Sequence, residues 1–111
     1  MNKSKLKAIE PHNADLVNSM DSVVVMDHLC TDLLSLAEKE SIKESYSTRR
    51  DRNRELISIL YRKREELKPF ERFVEALKIT DASHAIMAEA ILKTYVCQVI
   101  RSKRLRIFLT T

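Results

Sequence analysis

No glycine occurs anywhere in the 111 residues. Loops that cradle phosphates need glycine for positive-φ backbone and for close approach to the ligand, so P-loop and dinucleotide-binding motifs are excluded. The tight turns of β-hairpins lean on glycine as well, which argues against a hairpin-rich β fold.

The apolar pattern points to helices. Hydrophobic residues recur at three- and four-residue spacing along the chain. In the first segment Leu6, Ile9, Leu16, Val17 and Met20 form one stripe, with Pro11 inside it. Proline lacks an N–H and clashes with the preceding turn, so the spacing predicts a first helix in two pieces, about 3–10 and 12–20. Asp21 or Ser22 then caps a second helix running to about residue 33. Its Val23-Val24-Val25 run is unusual in a helix, but Met26 to Leu34 continues the helical spacing. A break at Ser35 or Leu36 precedes a short third helix over about 37–45. Thr48 and Asp51 make a capping-box-like start for a fourth, which turns Asn53, Leu56, Ile57 and Leu60 inward. Pro69 suits the first turn of a fifth, with Phe70, Phe73, Val74 and Leu77 on its inner stripe. Asp81 or Ser83 starts a sixth, carrying Met87, Ala88, Ile91, Leu92 and Tyr95. The expected fold is all-α, six helices joined by short loops around one modest core, with little room for a deep substrate cavity.

The compartment follows from what is missing. Cys30 and Cys97 are far apart, with no CxxC partner, and read as small core or boundary residues. No apolar stretch approaches the roughly 20 residues of a membrane span, and the polar N-terminal stretch has no signal-peptide pattern. A cytoplasmic location is expected. Charge is unevenly spread: five bases face eight acids before Ser47, and fifteen face eight from there on. Such a split suggests an interaction surface.

The residues also carry a resemblance. Ser47-Thr48-Arg49-Arg50-Asp51-Arg52-Asn53-Arg54-Glu55-Leu56-Ile57-Ser58-Ile59-Leu60 resembles the fourth helix of a caspase recruitment domain (CARD). Phe70-Glu71-Arg72-Phe73-Val74-Glu75-Ala76-Leu77 resembles its fifth, and His84 with Met87-Ala88-Glu89 the start of its sixth. Val25-Met26-Asp27-His28-Leu29 is similar to the second helix in apoptosome scaffolds of the apoptotic protease-activating factor type, the CARDs to which the chain looks closest. Residues 5–95 are covered. The chain departs from the pattern in lacking the glycines usual between helices four and five and between five and six, and in carrying Asn13 where some initiator caspases have an arginine.

The resemblance implies a death-fold bundle of six antiparallel helices over residues 1–95, its first helix kinked or broken near Pro11, with 96–111 as a helix extension, linker or tail. It implies homotypic docking, in which a basic surface on helices one and four of one domain meets an acidic surface on helices two and three of another. Arg50 and Arg54 stand four apart on the fourth helix, flanked by Arg49 and Arg52, and their guanidinium forks suit carboxylates. Asp27, Glu40 and Glu44 are the candidates for the acidic patch. The implied partner is a CARD-containing protein, an initiator caspase or an apoptosome scaffold, or a second copy of the chain. A patch of each sign on one domain permits head-to-tail growth.

The implied role is recruitment of a caspase or adaptor in apoptosis; a CARD-only regulator or an innate-immune adaptor is the alternative. No catalytic, cofactor or metal site is expected. His12, His28 and His84 show no triad-like setting and read as structural or capping groups. Met20, Met26 and Met87 read as core filler, and Tyr46, Tyr61, Tyr95 and the phenylalanines as packing. Nucleic-acid binding by the basic half is disfavoured, because its arginines are interleaved with acids. The mixed apolar and basic segment 96–111 has the composition of a membrane-surface helix, but could equally pack on the core or serve as a linker.

Overall fold

The computed structural model describes residues 1–45 and 47–110, the last nine of these as helical backbone only. Seven α-helices follow in order: α1 (Lys3–Ile9), α2 (Asn13–Ser19), α3 (Ser22–Asp27), α4 (Leu36–Ser45), α5 (Arg49–Arg62), α6 (Pro69–Thr80) and α7 (Ala82–Thr110). No strand occurs among the described residues. Glu10–His12 form a 3-10 turn between α1 and α2, so these two helices are the halves of one broken helix. The bundle thus has six members, with α3 to α7 as the second to sixth.

The break falls where Pro11 predicts it. Proline offers no N–H to the carbonyl four residues back, and the chain tightens to the Asn13 N–H bonding Glu10 O. Past the break, α2 packs on α5, while α7 packs along both α6 and α1. The core between them is continuous. Ile9, Leu16, Met20, Met26, Leu33, Leu34, Ile42, Leu56, Leu60, Phe73, Leu77 and Ile91 are its largest fully buried side chains. Each such burial is worth roughly 1.5–3 kcal/mol before the entropy of ordering is counted.

The second helix is shorter than its spacing predicts. α3 ends at Asp27, and residues 28–34 proceed through turns instead of reaching residue 33 as helix. The His28 and Leu29 N–H groups bond to Val25 O and Met26 O, three residues back, and Leu33 and Leu34 both bond to Cys30 O. The three valines stay inside α3, and the turns that follow bury Leu29, Leu33 and Leu34 as a continued helix would. Cys30, at the start of these turns, is exposed, as is Cys97 on α7; both are free thiols. The expectation that they are core or boundary residues is therefore corrected for each. Tyr46 lies outside the described residues.

Ser35 does more than interrupt the chain. Its Oγ accepts the Glu38 N–H at 3.2 Å while Glu38 Oε1 accepts the Ser35 N–H at 3.1 Å, a full capping box for α4. Glu38 also receives the Lys63 ammonium at 2.9 Å, tying this box to the end of α5. Burial opposes the charge on Glu38, but the hydrogen bonds from Lys63 and Ser35, with the charge of Lys63, prevail and hold its pKa below the ordinary 4.5. A carboxylate with a lowered folded pKa stabilises fully above the unfolded value, and that contribution disappears as pH falls through the folded one. We expect Glu38→Gln to cost about 1 kcal/mol at neutral pH. It should also flatten the loss of stability below pH 4.5, read by urea unfolding across pH. An unchanged acid limb would show that the box is not a stabilising element.

Without glycine, the turn into α6 places Lys68 in the left-handed region at φ 54° and ψ 53°. Pro69 follows at the first helical position, where its fixed φ helps and its missing N–H is not needed. The Phe70 ring lies 5.3 Å from that of Tyr95, tilted by 46°, and fastens the start of α6 to α7. At the other end His84, 2% exposed, joins three elements. Its Nε2 accepts the Asp21 N–H at 3.1 Å. The proton therefore sits on Nδ1, which faces Thr80 Oγ1 at 2.8 Å, and Thr80 donates onward to Leu77 O at 3.3 Å. This histidine is structural.

Candidate interaction surface

The exposed arginines of α5 start from a cap. Thr48 has extended backbone, and its Oγ1 accepts the Asp51 N–H at 3.1 Å. The reverse half of a capping box is replaced: the Asp51 carboxylate pairs with Arg54 at 3.1 Å, one turn on. Arg49 is committed too, donating from Nη2 to Asn18 O at 3.0 Å and so bridging α5 to the end of α2. Arg52 is half-buried and its Nη1 reaches Ser47 O at 3.4 Å. Arg50 is exposed and makes no hydrogen bond or ion pair with a described residue. The four predicted arginines do gather at one end of α5, but they are unequal. Arg50 carries its whole charge outward, Arg54 shares its charge with Asp51, and Arg49 and Arg52 also hold the local structure.

Beneath them Asn53 is fully buried. Its side-chain nitrogen donates to Leu16 O at 3.2 Å, Val17 O at 2.8 Å and Met20 O at 2.7 Å. These carbonyls belong to the last turn and C-cap of α2, where intrahelical donors run out, although Leu16 O also takes the Met20 N–H. Asn53 therefore fixes how the broken first helix meets the fourth, and with it the platform on which the arginines stand. The exposed residues of α2 itself, Asn13, Ala14, Asp15, Asn18 and Ser19, bring no base, so the positive charge here comes from α5 alone.

The acidic candidates lie on α3 and α4. Glu40 and Glu44 are exposed, one turn apart, and make no hydrogen bond or ion pair with a described residue. Asp27, at the end of α3, is exposed and 3.6 Å from Lys43 of α4, which offsets part of its charge. The surface also includes Asp32, which is exposed and whose partner lies 40 positions away, where no local pattern points. The turns after α3 bring Asp32 to 2.7 Å from Arg72 of α6. The hydrogen bond from Arg72 is the main reason its carboxyl lies below the ordinary aspartate value.

The other candidate groups are spoken for or dispersed. Thr94 Oγ1 donates to Ala90 O at 3.0 Å, so it accepts from Nε2 of His12 at 2.8 Å. His28 is exposed. Tyr61 is half-buried; burial first, and the negative charge of Glu10 second, push its phenol up to about 12. No cluster of His, Cys, Asp or Glu among the described residues could hold a metal ion, and no helix among them is long and apolar enough to cross a membrane.

The arrangement offers one compact cationic face on the fourth bundle helix and anionic groups on the second and third. Among known families, residues 6–90 match the family model described as caspase recruitment domain. No curated protein and no solved structure matches the chain.

Proposed function

Since the chain belongs to the caspase recruitment domain family, whose members are homotypic protein-interaction modules, we propose that it docks through its α5 arginines onto the acidic face of a second CARD. The partner is an initiator caspase or an apoptosome scaffold, and the assembly serves apoptotic signalling in the cytoplasm. Catalysis then belongs to the recruited caspase, activated by raised local concentration. The resemblance to apoptosome-scaffold CARDs supports the apoptotic assignment.

The observation that carries this reading is the pair Arg50 and Arg54, exposed and four residues apart on a helix fixed by its cap and by Asn53. Arg49 and Arg52 widen the basic face. Asp27, Glu40 and Glu44 form the opposite face, so each domain can donate and receive. Exposed charges of this kind steer encounter and set register more than they raise raw affinity, and salt screens them over about 8–10 Å.

Light scattering with size separation, on the chain alone and mixed with an initiator-caspase CARD, tests the reading. We expect a complex larger than the monomer that dissociates as salt is raised. A chain that stays monomeric at low salt, alone and mixed, overturns it.

A further inference from the structure

α7 is long for a bundle of this size. Its 29 residues span about 43 Å at 1.5 Å per residue, and the molecule measures 56 Å along its longest axis against 27 and 21 Å across. Tyr95 is still held by Phe70, and Gln98 donates to Lys7 O at 3.3 Å. Around and beyond these contacts the helix presents apolar residues to water. Val96 is 50% and Ile100 45% exposed, one turn apart on the same side. Lys93 and Arg101 flank them, exposed and with no hydrogen bond or ion pair to a described residue.

The charge pattern changes at the same point. From Ala90 to Thr111 the chain carries five bases and no acid, whereas elsewhere it never passes more than nine residues without one. Lys93 and Arg101 also line an open crevice of about 410 Å³ between α7 and the 3-10 turn, with His12 and Gln98 among its walls. A phosphate entering there would meet two unpaired cations and an amide.

We propose that the stretch of α7 from Lys93 to Arg101 is a docking element for an anionic lipid surface. Lys93 and Arg101 take headgroup phosphates, while Val96 and Ile100 enter the boundary of the acyl region. Interfacial helices combine these two contributions, and each base near such a surface adds a similar increment. A nucleic acid would reward the cations equally but has no use for the two exposed aliphatic side chains, which is why lipid is the better fit. This surface is separate from the α5 arginines and does not depend on the docking reading; lipid attachment would concentrate the domain for assembly.

Co-sedimentation of the full chain with phosphatidylcholine vesicles, with and without phosphatidylserine, tests this. Binding is expected only to the phosphatidylserine vesicles. Lys93→Glu with Arg101→Glu should lower it by more than about tenfold, and Val96→Ser with Ile100→Ser should weaken it too. Circular dichroism, and docking to a partner CARD if wild type shows it, should be unchanged in both variants. Equal binding to neutral vesicles, or retention by the charge-reversed variant, overturns the proposal. So does loss on charge reversal alone, with the serine variant binding like wild type and wild type retarding generic duplex DNA; that result would assign a polyanion site without lipid insertion.

Discussion

Asn53→Asp is expected to remove a large share of the domain's stability while changing only one group. The side-chain nitrogen of Asn53 is fully buried and donates to three carbonyls at the end of α2. In the variant a carboxylate oxygen would face those carbonyls at the negative pole of a helix. Leaving a buried charge uncompensated costs about 3–5 kcal/mol, against a total of about 5–15 kcal/mol for a typical domain. Asn53→Leu removes the donor without adding charge and should cost less, about 1–3 kcal/mol. The pH dependence separates the two. Protonation makes the aspartic acid a donor again, so the stability of Asn53→Asp should rise as pH falls from 7 towards 5, while that of Asn53→Leu should not. Urea unfolding of both variants across that range is the check. An Asn53→Asp protein as stable as wild type, or indifferent to pH, would show that the α2 carbonyls do not depend on this amide.

Asn53 also shows where sequence legibility ends. Its inward position follows from spacing with Leu56, Ile57 and Leu60. Its task does not, because the carbonyls it serves lie 33 to 37 residues earlier and no local pattern names them. The fifth bundle helix was the easiest to read: Phe70, Phe73, Val74 and Leu77 make a strong stripe behind a proline start, and all four are buried. The break at Pro11 was legible for the same reason, a local constraint with one outcome. The predicted second helix overruns Asp27 because apolar spacing alone cannot distinguish helix from turns that bury the same leucines. The overrun places Cys30 on a helix, where the structure has an exposed residue at the start of turns. Ser35-Leu36-Ala37-Glu38 has the spacing of a capping box, a local signal stronger than the break expected at Ser35.

Charge and resemblance point to the arginines, but not to their ranking, which depends on partners distant in sequence. Asn18 O, which takes Arg49, is 31 positions away, and the choice of Asp51 between Thr48 and Arg54 depends on rotamers. Ranking matters for the second large effect. Arg50 has no described partner to give up on docking, whereas Arg54 must leave or share Asp51. Reversal of Arg50 should therefore weaken docking more than reversal of Arg54. Arg50→Glu with Arg54→Glu should weaken it by at least about a hundredfold, because reversal brings like charges together across the contact, which costs several kcal/mol. Both residues are exposed, so helical content and thermal unfolding should barely move.

Loss alone would not identify the opposite face, which is why the reciprocal change decides. Glu40→Arg with Glu44→Arg should impair docking by itself, since like charges would then face each other. Mixed with the Arg50→Glu, Arg54→Glu chain, it should restore docking, because the intact arginines of one variant meet the intact glutamates of the other and the two reversed faces match as well. Asp27→Arg should do less, because Asp27 already shares Lys43. Sedimentation velocity on the two variants, separately and mixed, provides the readout. Restoration in the mixture would assign α5 and α4 as the two halves of one contact. Docking as strong as wild type by the Glu40→Arg, Glu44→Arg chain alone would mean that the acidic face meeting the arginines is not the one on α4.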